Sequence, residues 1–217
     1  MIVAIDGPAA AGKGTLARRL AEHLNLAYLD TGLLYRAVGW KTLQAGGAPS
    51  DPAAAVAAAT ALSPQDLGTP ALRSDDAANA ASQVAAIPAV RAELLKFQKN
   101  FAESPPPGPH GPVRGAVLDG RDIGTVVCPN ATAKLFVTAS LDARAQRRLK
   151  ELQERGHTAI YARVLEDMSA RDARDSARAV APLEPAKDAL VLDTSDLDPD
   201  AVFTRALAFI ASKMPSR

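Results

Sequence analysis

The chain has 217 residues, 47% of them apolar and 23% charged, with a formal net charge of +1, which excludes a fibrous or wholly disordered protein. So small a basic excess argues against long nucleic acid as a partner, and no run of 18 apolar residues offers a membrane span. The single cysteine, Cys128, has no disulfide partner and no Cys or His at zinc-ligand spacing, so we expect it to be buried packing in a reducing compartment.

Five short apolar runs follow one another along the chain: IVAI from Ile2, LAYL from Leu26, AVL from Ala116, AKLFVTA from Ala133 and ALVL from Ala189. Most are apolar throughout rather than alternating, and helical patterns such as TLARRLAEHL and LDARAQRRLKELQERG separate them, the signature of a parallel sheet covered on both faces. The predicted class is α/β. The last segment, DPDAVFTRALAFIASKM, reads as a helix whose Val202, Leu207, Ile210 and Ala211 cover the final strand. With the first strand beginning at Ile2, no leader segment is expected, and a cytoplasmic location follows as the expectation.

Between Trp40 and Val113 the strand–helix alternation lapses. In its place stand the Ala-rich run DPAAAVAAATAL, a loop LSPQDLGTP and one helical pattern, DAANAASQVAAIPAVRAELLKFQKNFAE, together read as an inserted lobe. The segment SPPPGPHGP, Ser104 to Pro112, reads as a stiff connector back to the core. His23, His110 and His157 lie far apart in polar or loop contexts, so surface or capping roles are expected of them rather than a metal site.

The stretch DGPAAAGKGT joins the first strand directly to the first helix. Gly7, Gly12 and Lys13 fit a phosphate-binding loop, with Gly14 where the strict pattern has Ser or Thr and Thr15 supplying the hydroxyl one step later. Glycines let the backbone wrap a phosphate, successive N–H groups and the helix N-terminus supply positive charge, and the lysine reaches the outer phosphates. A nucleoside triphosphate is the first expected ligand. No Asn-Lys-x-Asp element for reading guanine occurs, which favours ATP.

Three further clusters fall near predicted strand ends, where a doubly wound sheet places its ligands. In YLDTGLLYR, Thr31, Tyr35 and Arg36 bring together a hydroxyl, an aromatic face and a guanidinium; in AVLDGRDIGTVV, Asp119 closes a strand and Gly120, Arg121 and Asp122 follow in a tight turn. In SARDARDSARAVAPL, helical spacing puts Arg171, Arg174 or Asp175, and Arg178 on one face. Guanidiniums that grip phosphate in two places are what phosphoryl transfer needs around its spreading negative charge. The residues alone leave open a kinase for another small acceptor, or a nonenzymatic ATP-sensing regulator with the proline-rich segment as its arm.

Together GPAAAGKGT, LDTGLLYR, ANAASQVAAIPAVR, LDGRDIGTVVCPNA and RDARDSARAVAPL resemble the bacterial cytidylate kinases, a nucleoside monophosphate kinase family, over most of the chain. The resemblance implies a P-loop NTPase-type fold: a parallel five-stranded sheet in the order 2-3-1-4-5, helices on both faces, an inserted acceptor-binding lobe and a short lid. The core would be residues 1–40, 113–151 and 167–217, the lobe 41–112 and the lid 152–166. The implied reaction moves the γ-phosphate of ATP to CMP or dCMP, giving ADP and CDP or dCDP, with magnesium accompanying ATP and a monomer as the working form.

By motif, the ATP loop would be Gly7, Pro8, Ala9, Ala10, Ala11, Gly12, Lys13, Gly14 and Thr15. Thr31, Tyr35, Arg36 and Arg121 would contact the acceptor phosphate; Ser82, Arg91, Asp122 and Arg178 would read cytosine; Arg171 and Asp175 would hold the pentose. The family more often has Ser at the place of Thr31, and its lobe often carries a three-stranded sheet for which residues 63–76 here look too short. Catalysis would be alignment plus neutralisation by Lys13, Arg36, Arg121, Arg171 and lid arginines from among Arg147, Arg148, Arg155 and Arg163. No protein group is expected to ligate the metal directly, although Asp119 could orient metal-bound water.

Overall fold

The computed structural model describes residues 1–109 and 111–214, apart from the side chain of Pro64. The expectation for His110 therefore lies outside the described residues. Five strands, β1 (Ile2–Asp6), β2 (Ala27–Asp30), β3 (Ala116–Gly120), β4 (Ala133–Thr138) and β5 (Leu190–Asp193), form one sheet in the order β2-β3-β1-β4-β5. β1 pairs in parallel with β3 and β4, and β4 with β5. The central strand is covered on both faces, with Val3, Ala4 and Ile5 fully buried, which is why its sequence shows no alternation.

The chain divides into two compact units, one of residues 1–29 with 102–217 and one of residues 30–101. In the first, α1 (Lys13–Leu24) and α8 (Pro199–Lys213) pack Leu16, Leu20, Val202, Ala206 and Ile210 against Val3, Ile5, Leu135 and Val137. The buried stripe of α8 runs at intervals of four, so Ala206 takes a core place, while Leu207 is half-buried and the expected core residue Ala211 is exposed. α6 (Leu141–Glu154) and α7 (Tyr161–Ser176) close on each other through Ala145, Leu152, Val164 and Met168. Cys128 is buried, and His23 stacks edge-on against Phe203.

The second unit is helical: α2 (Thr31–Gln44), α3 (Pro52–Thr60), α4 (Asp75–Val84) and α5 (Pro88–Glu103). It spans 30–101 rather than the 41–112 read from sequence, because α2 packs on α3 and α4. The pattern expected to be one helix over residues 76–103 breaks after Val84, and Pro88, which has no N–H to give a preceding turn, opens α5. The expected loop of residues 62–70 instead winds two short 3₁₀ turns, Pro64–Gly68 and Pro70–Arg73. Its core is built of small residues, with Ala55, Ala58, Ala59, Ala81 and Ala85 around Leu34, Val38, Val84 and Leu94. At the α2–α4 contact a Cβ on Gly39 would fall 2.7 Å from that of Ala80, so only glycine fits.

Candidate active site

The phosphate loop begins where β1 ends. Gly7 passes so close to β4 that a Cβ there would lie 1.9 Å from the Val137 carbonyl oxygen, and Gly7, Ala10 and Gly12 take positive φ values of 142°, 58° and 93°. Gly12 caps α1 without a side chain, which leaves the first N–H groups of the helix facing outward from its N-terminus. Lys13 is buried and donates from Nζ to the Pro8 carbonyl at 2.7 Å, folding back across the loop. Burial, and next the guanidinium of Arg121, hold its ammonium down to about 7, with Arg171 adding to the repulsion and Asp119 opposing it. Several cations thus crowd one region of the core.

Behind the loop lies a cavity of about 310 Å³ lined mainly by Ala11, Thr15, Leu16, Arg147, Leu197 and Val202. Arg147, read from sequence as a lid candidate, is tied down beside it, donating from Nη1 to Thr194 Oγ1 at 3.0 Å and from Nη2 to the Thr194 carbonyl. Thr194 in turn donates to the Ala11 carbonyl at 3.1 Å. Neither Thr194 nor the cavity is announced by any motif; the contact crosses 183 positions of sequence.

At the end of β3, Asp119 is buried and accepts a 3.3 Å hydrogen bond from Tyr28 on its Oδ1. Its Oδ2 lies 3.6 Å from where a Cβ on Gly14 would sit, so this carboxylate borders the phosphate loop. Arg121 and Asp122 follow in the turn that leads to a π-type turn at Ile123–Val127. That turn hangs on Asp6, a residue outside the sequence-derived site, whose two carboxylate oxygens accept from the Ile123 and Gly124 N–H groups at 2.7 Å each. Burial is the larger influence on Asp6 and raises its pKa to about 6 against the pull of those two donors.

Asp175 on α7 ties two arginines together. Arg121 Nε donates to its Oδ2 at 3.0 Å and Arg178 Nη2 donates to its Oδ1, with all three groups largely shielded from water. Burial alone would push the Asp175 carboxyl up, but Arg121, Arg178 and Arg171 together hold it below the usual carboxylate range. Arg178 does not lie on the helix, as the spacing predicted, because α7 ends at Ser176; the chain turns at Ala177 and brings the guanidinium back to Asp175. Arg174 points outward and is exposed. Among the other lid candidates, Arg148 and Arg155 both pair with Glu151, and Arg163 is exposed.

In the second unit, Arg36 and Arg91 each reach a backbone carbonyl. Asp30 caps α2 by accepting from the Leu33 N–H at 3.2 Å, so Thr31 is the buried first helical residue rather than the cap. Arg36 Nη1 donates to the Leu72 carbonyl at 2.8 Å. Arg91, 8% exposed, lies over the Tyr35 ring at 5.4 Å and donates to the Ala85 carbonyl at 3.3 Å, and Ser82 is buried on α4.

The family described as cytidylate kinase matches residues 3–212. The chain is 66% identical over 212 residues to a cytidylate kinase of Paramagnetospirillum magneticum, and 59% identical over 213 residues to one of Rhodospirillum rubrum, with 98% of both chains covered in each case. Among solved structures, an uncharacterized protein from Eubacterium ventriosum shares the fold at a TM-score of 0.55 and 14% identity, covering 98% of this chain and 99% of that one. TT1252 from Thermus thermophilus does so at a TM-score of 0.50 and 18% identity, covering 100% and 98%. With the match running over nearly the whole chain and the phosphate loop and arginine cluster in place, the chain belongs to the cytidylate kinase family.

Proposed function

We infer that the protein transfers the γ-phosphoryl group of ATP to CMP and dCMP, releasing ADP and the nucleoside diphosphate, as one step of pyrimidine nucleotide metabolism. The observation that carries this reading is the buried Lys13 at the head of α1, whose ammonium is repelled by Arg121 and Arg171, a repulsion that polyanionic phosphate would relieve. A phosphate monoester with a second pKa near about 6 is already mostly dianionic at neutral pH, so the attacking oxygen needs no general base. Catalysis is then alignment and charge neutralisation.

In this reading Gly7, Pro8, Ala9, Ala10, Ala11, Gly12, Lys13, Gly14 and Thr15 hold the ATP phosphates, and the cavity at Leu16, Arg147 and Val202 takes its base. Thr31, Tyr35, Arg36 and Arg121 hold the CMP phosphate, Arg171 and Asp175 its sugar, and Ser82, Arg91, Asp122 and Arg178 its base. Magnesium fits beside Asp119, a buried carboxylate bordering the loop, where it would be held through water and would offset charge on the β- and γ-phosphates. The segment over residues 152–166, from the end of α6 through the start of α7, serves as a lid that excludes water, and the working form is a cytoplasmic monomer.

The test is a coupled assay of ADP release with ATP, magnesium and each of CMP, dCMP, UMP and AMP. CMP and dCMP give turnover well above the others; absence of CDP from CMP would contradict the reading. Arg178→Met lowers the preference for CMP over UMP by about 10- to 100-fold while ATP binding stays near normal, the range expected of a lost charge-assisted contact. An unchanged preference would remove Arg178 from the base-reading set.

A further inference from the structure

Arg144 matches no motif. It stands in the first turn of α6, beyond the Ser140 cap, and its side chain is only 6% exposed. A guanidinium taken from water requires partners on several sides, and Arg144 has three. Nε donates to the Ala139 carbonyl at 2.9 Å, Nη1 to the Ala9 carbonyl at 3.4 Å, and Nη2 to Asp172 Oδ2 at 2.7 Å. One planar fork thereby joins the exit of β4, the phosphate loop and α7.

The bond to Ala9 has a geometric consequence. A trans peptide is planar with its C=O and N–H pointing opposite ways, so holding the Ala9 carbonyl toward Arg144 turns the Ala10 N–H away from it. Ala10 is also the one non-glycine of the loop with positive φ, 58°, a conformation that costs an L-residue energy and persists only where its surroundings impose it. Its side chain packs against the Ala145–Leu152–Val164–Met168 cluster between α6 and α7, a second tie between the same peptide and the same helices. Asp172, for its part, has a solvent-shielded Oδ1 that makes no hydrogen bond, so the Arg144 contact is the one compensating its carboxylate by hydrogen bonding among the described residues.

We propose that Arg144 is a positioning residue for phosphoryl transfer: held by Asp172, it fixes the Ala9–Ala10 peptide of the ATP loop in the orientation that presents the Ala10 N–H to phosphate. The proposal rests on the reading of Gly7–Thr15 as the ATP loop. It places no part of Arg144 on the substrate; the residue acts through a backbone amide. α7 keeps its own tie to the acceptor side through Asp175 and Arg121, so disturbing Arg144 should reach ATP before it reaches CMP.

Steady-state kinetics on Arg144→Lys, Asp172→Asn and the double variant, with ATP and CMP varied in turn, test this. Lysine keeps the charge without the fork, and asparagine keeps the shape without the charge. Each single variant raises KM for ATP about tenfold while KM for CMP stays within about twofold, and the double variant is no worse than the worse single one, because both remove the same link. A merely structural role would lower kcat through loss of folded enzyme and leave both KM values intact; that pattern, unchanged ATP kinetics, or additive losses in the double variant would each overturn the proposal. Should Arg144→Lys fail to fold, Asp172→Asn, isosteric and at a partly exposed site, decides by the same KM criterion. Lys13→Met run alongside separates the two levels: if it also leaves turnover intact the loop reading itself fails, whereas if it abolishes turnover while Arg144→Lys is silent, only the role of Arg144 is lost.

Discussion

The two units of this protein order their arginines by different means. In the sheet unit, charged side chains are oriented by other charged side chains, Arg121 and Arg144 by Asp175 and Asp172 across long stretches of sequence and Arg178 by Asp175 three residues before it. In the helical unit, Arg36 and Arg91 donate to the carbonyls of Leu72, in the short turn that packs on α2 and α4, and of Ala85, in the alanine-rich cluster around Leu34 and Val84. The first arrangement adds carboxylate partners to backbone carbonyls; the second relies on carbonyls that packing holds in place. Thinning the core should therefore disturb function more in the helical unit than in the sheet unit.

Lys13→Met gives the largest effect on the sheet side. In the role proposed for Lys13, its removal costs about 10³-fold in turnover, while CMP affinity, measured by calorimetry, stays near that of the native protein. Equal losses in turnover and CMP affinity would show Lys13 to be part of the acceptor site instead. On the packing side, Leu34→Ala and Leu20→Ala remove fully buried side chains from the helical and sheet units, and each costs about 2–5 kcal/mol in denaturant unfolding. Their functional outcomes should part: Leu34→Ala, beside Tyr35, raises KM for CMP several-fold, about 1 kcal/mol, whereas Leu20→Ala leaves both KM values unchanged in the folded fraction. If both behave alike, the distinction between the units is wrong.

Asp6 sharpens the charge side through pH. Its folded pKa, about 6, lies above the ordinary carboxylate value of 3.8, so the folded protein holds more protons than the unfolded chain between these values. The stability contributed by this group is fully present below pH 3.8 and is lost as pH rises through 6, by about 3 kcal/mol at most. Asp6→Asn removes that slope, so the difference in unfolding free energy between native and variant protein changes with pH between 4 and 6 and is flat above 7. The variant also sets an amide NH₂ against one of two backbone donors, so it is the less stable protein at neutral pH.

What could be read from the sequence follows the same division. The strands were legible because a buried parallel strand is apolar throughout, and the phosphate loop because glycine spacing is a local requirement of backbone geometry. The break before Pro88 was legible in principle, yet helical periodicity on both sides of the proline outweighed it. Arg178 was rightly expected near Asp175 but by the wrong route: helical spacing put it on α7, whereas a turn at Ala177 brings it back. Asp6, Arg144 and Thr194 were not legible at all. Their partners lie 117, 28 and 183 residues away, and an Asp at a strand end, an Arg on a helix and a Thr in a loop are each ordinary until the fold joins them.

The smallest effect bounds how far the charge rule extends. Glu151 holds Arg148 and Arg155 at once, as the buried carboxylates hold their arginines, but here the side chain of Glu151 itself is 42% exposed and that of Arg155 37%, although that of Arg148 is only 16% exposed. Water solvates these charges whether or not they meet, and holding two long side chains costs entropy, so Glu151→Gln should change unfolding free energy by less than about 1 kcal/mol. Added salt should erase even that difference, whereas the Arg121–Asp175 pair, with side chains 16% and 2% exposed, should be little screened. If either Arg148 or Arg155 reaches the transferred phosphate from this end of α6, loss of the Glu151 contact changes the variant's kcat while its stability does not. A loss of several kcal/mol in Glu151→Gln would mean that ionic ordering extends to the surface of α6, and the contrast between the two units would then rest on the helical unit's packing alone.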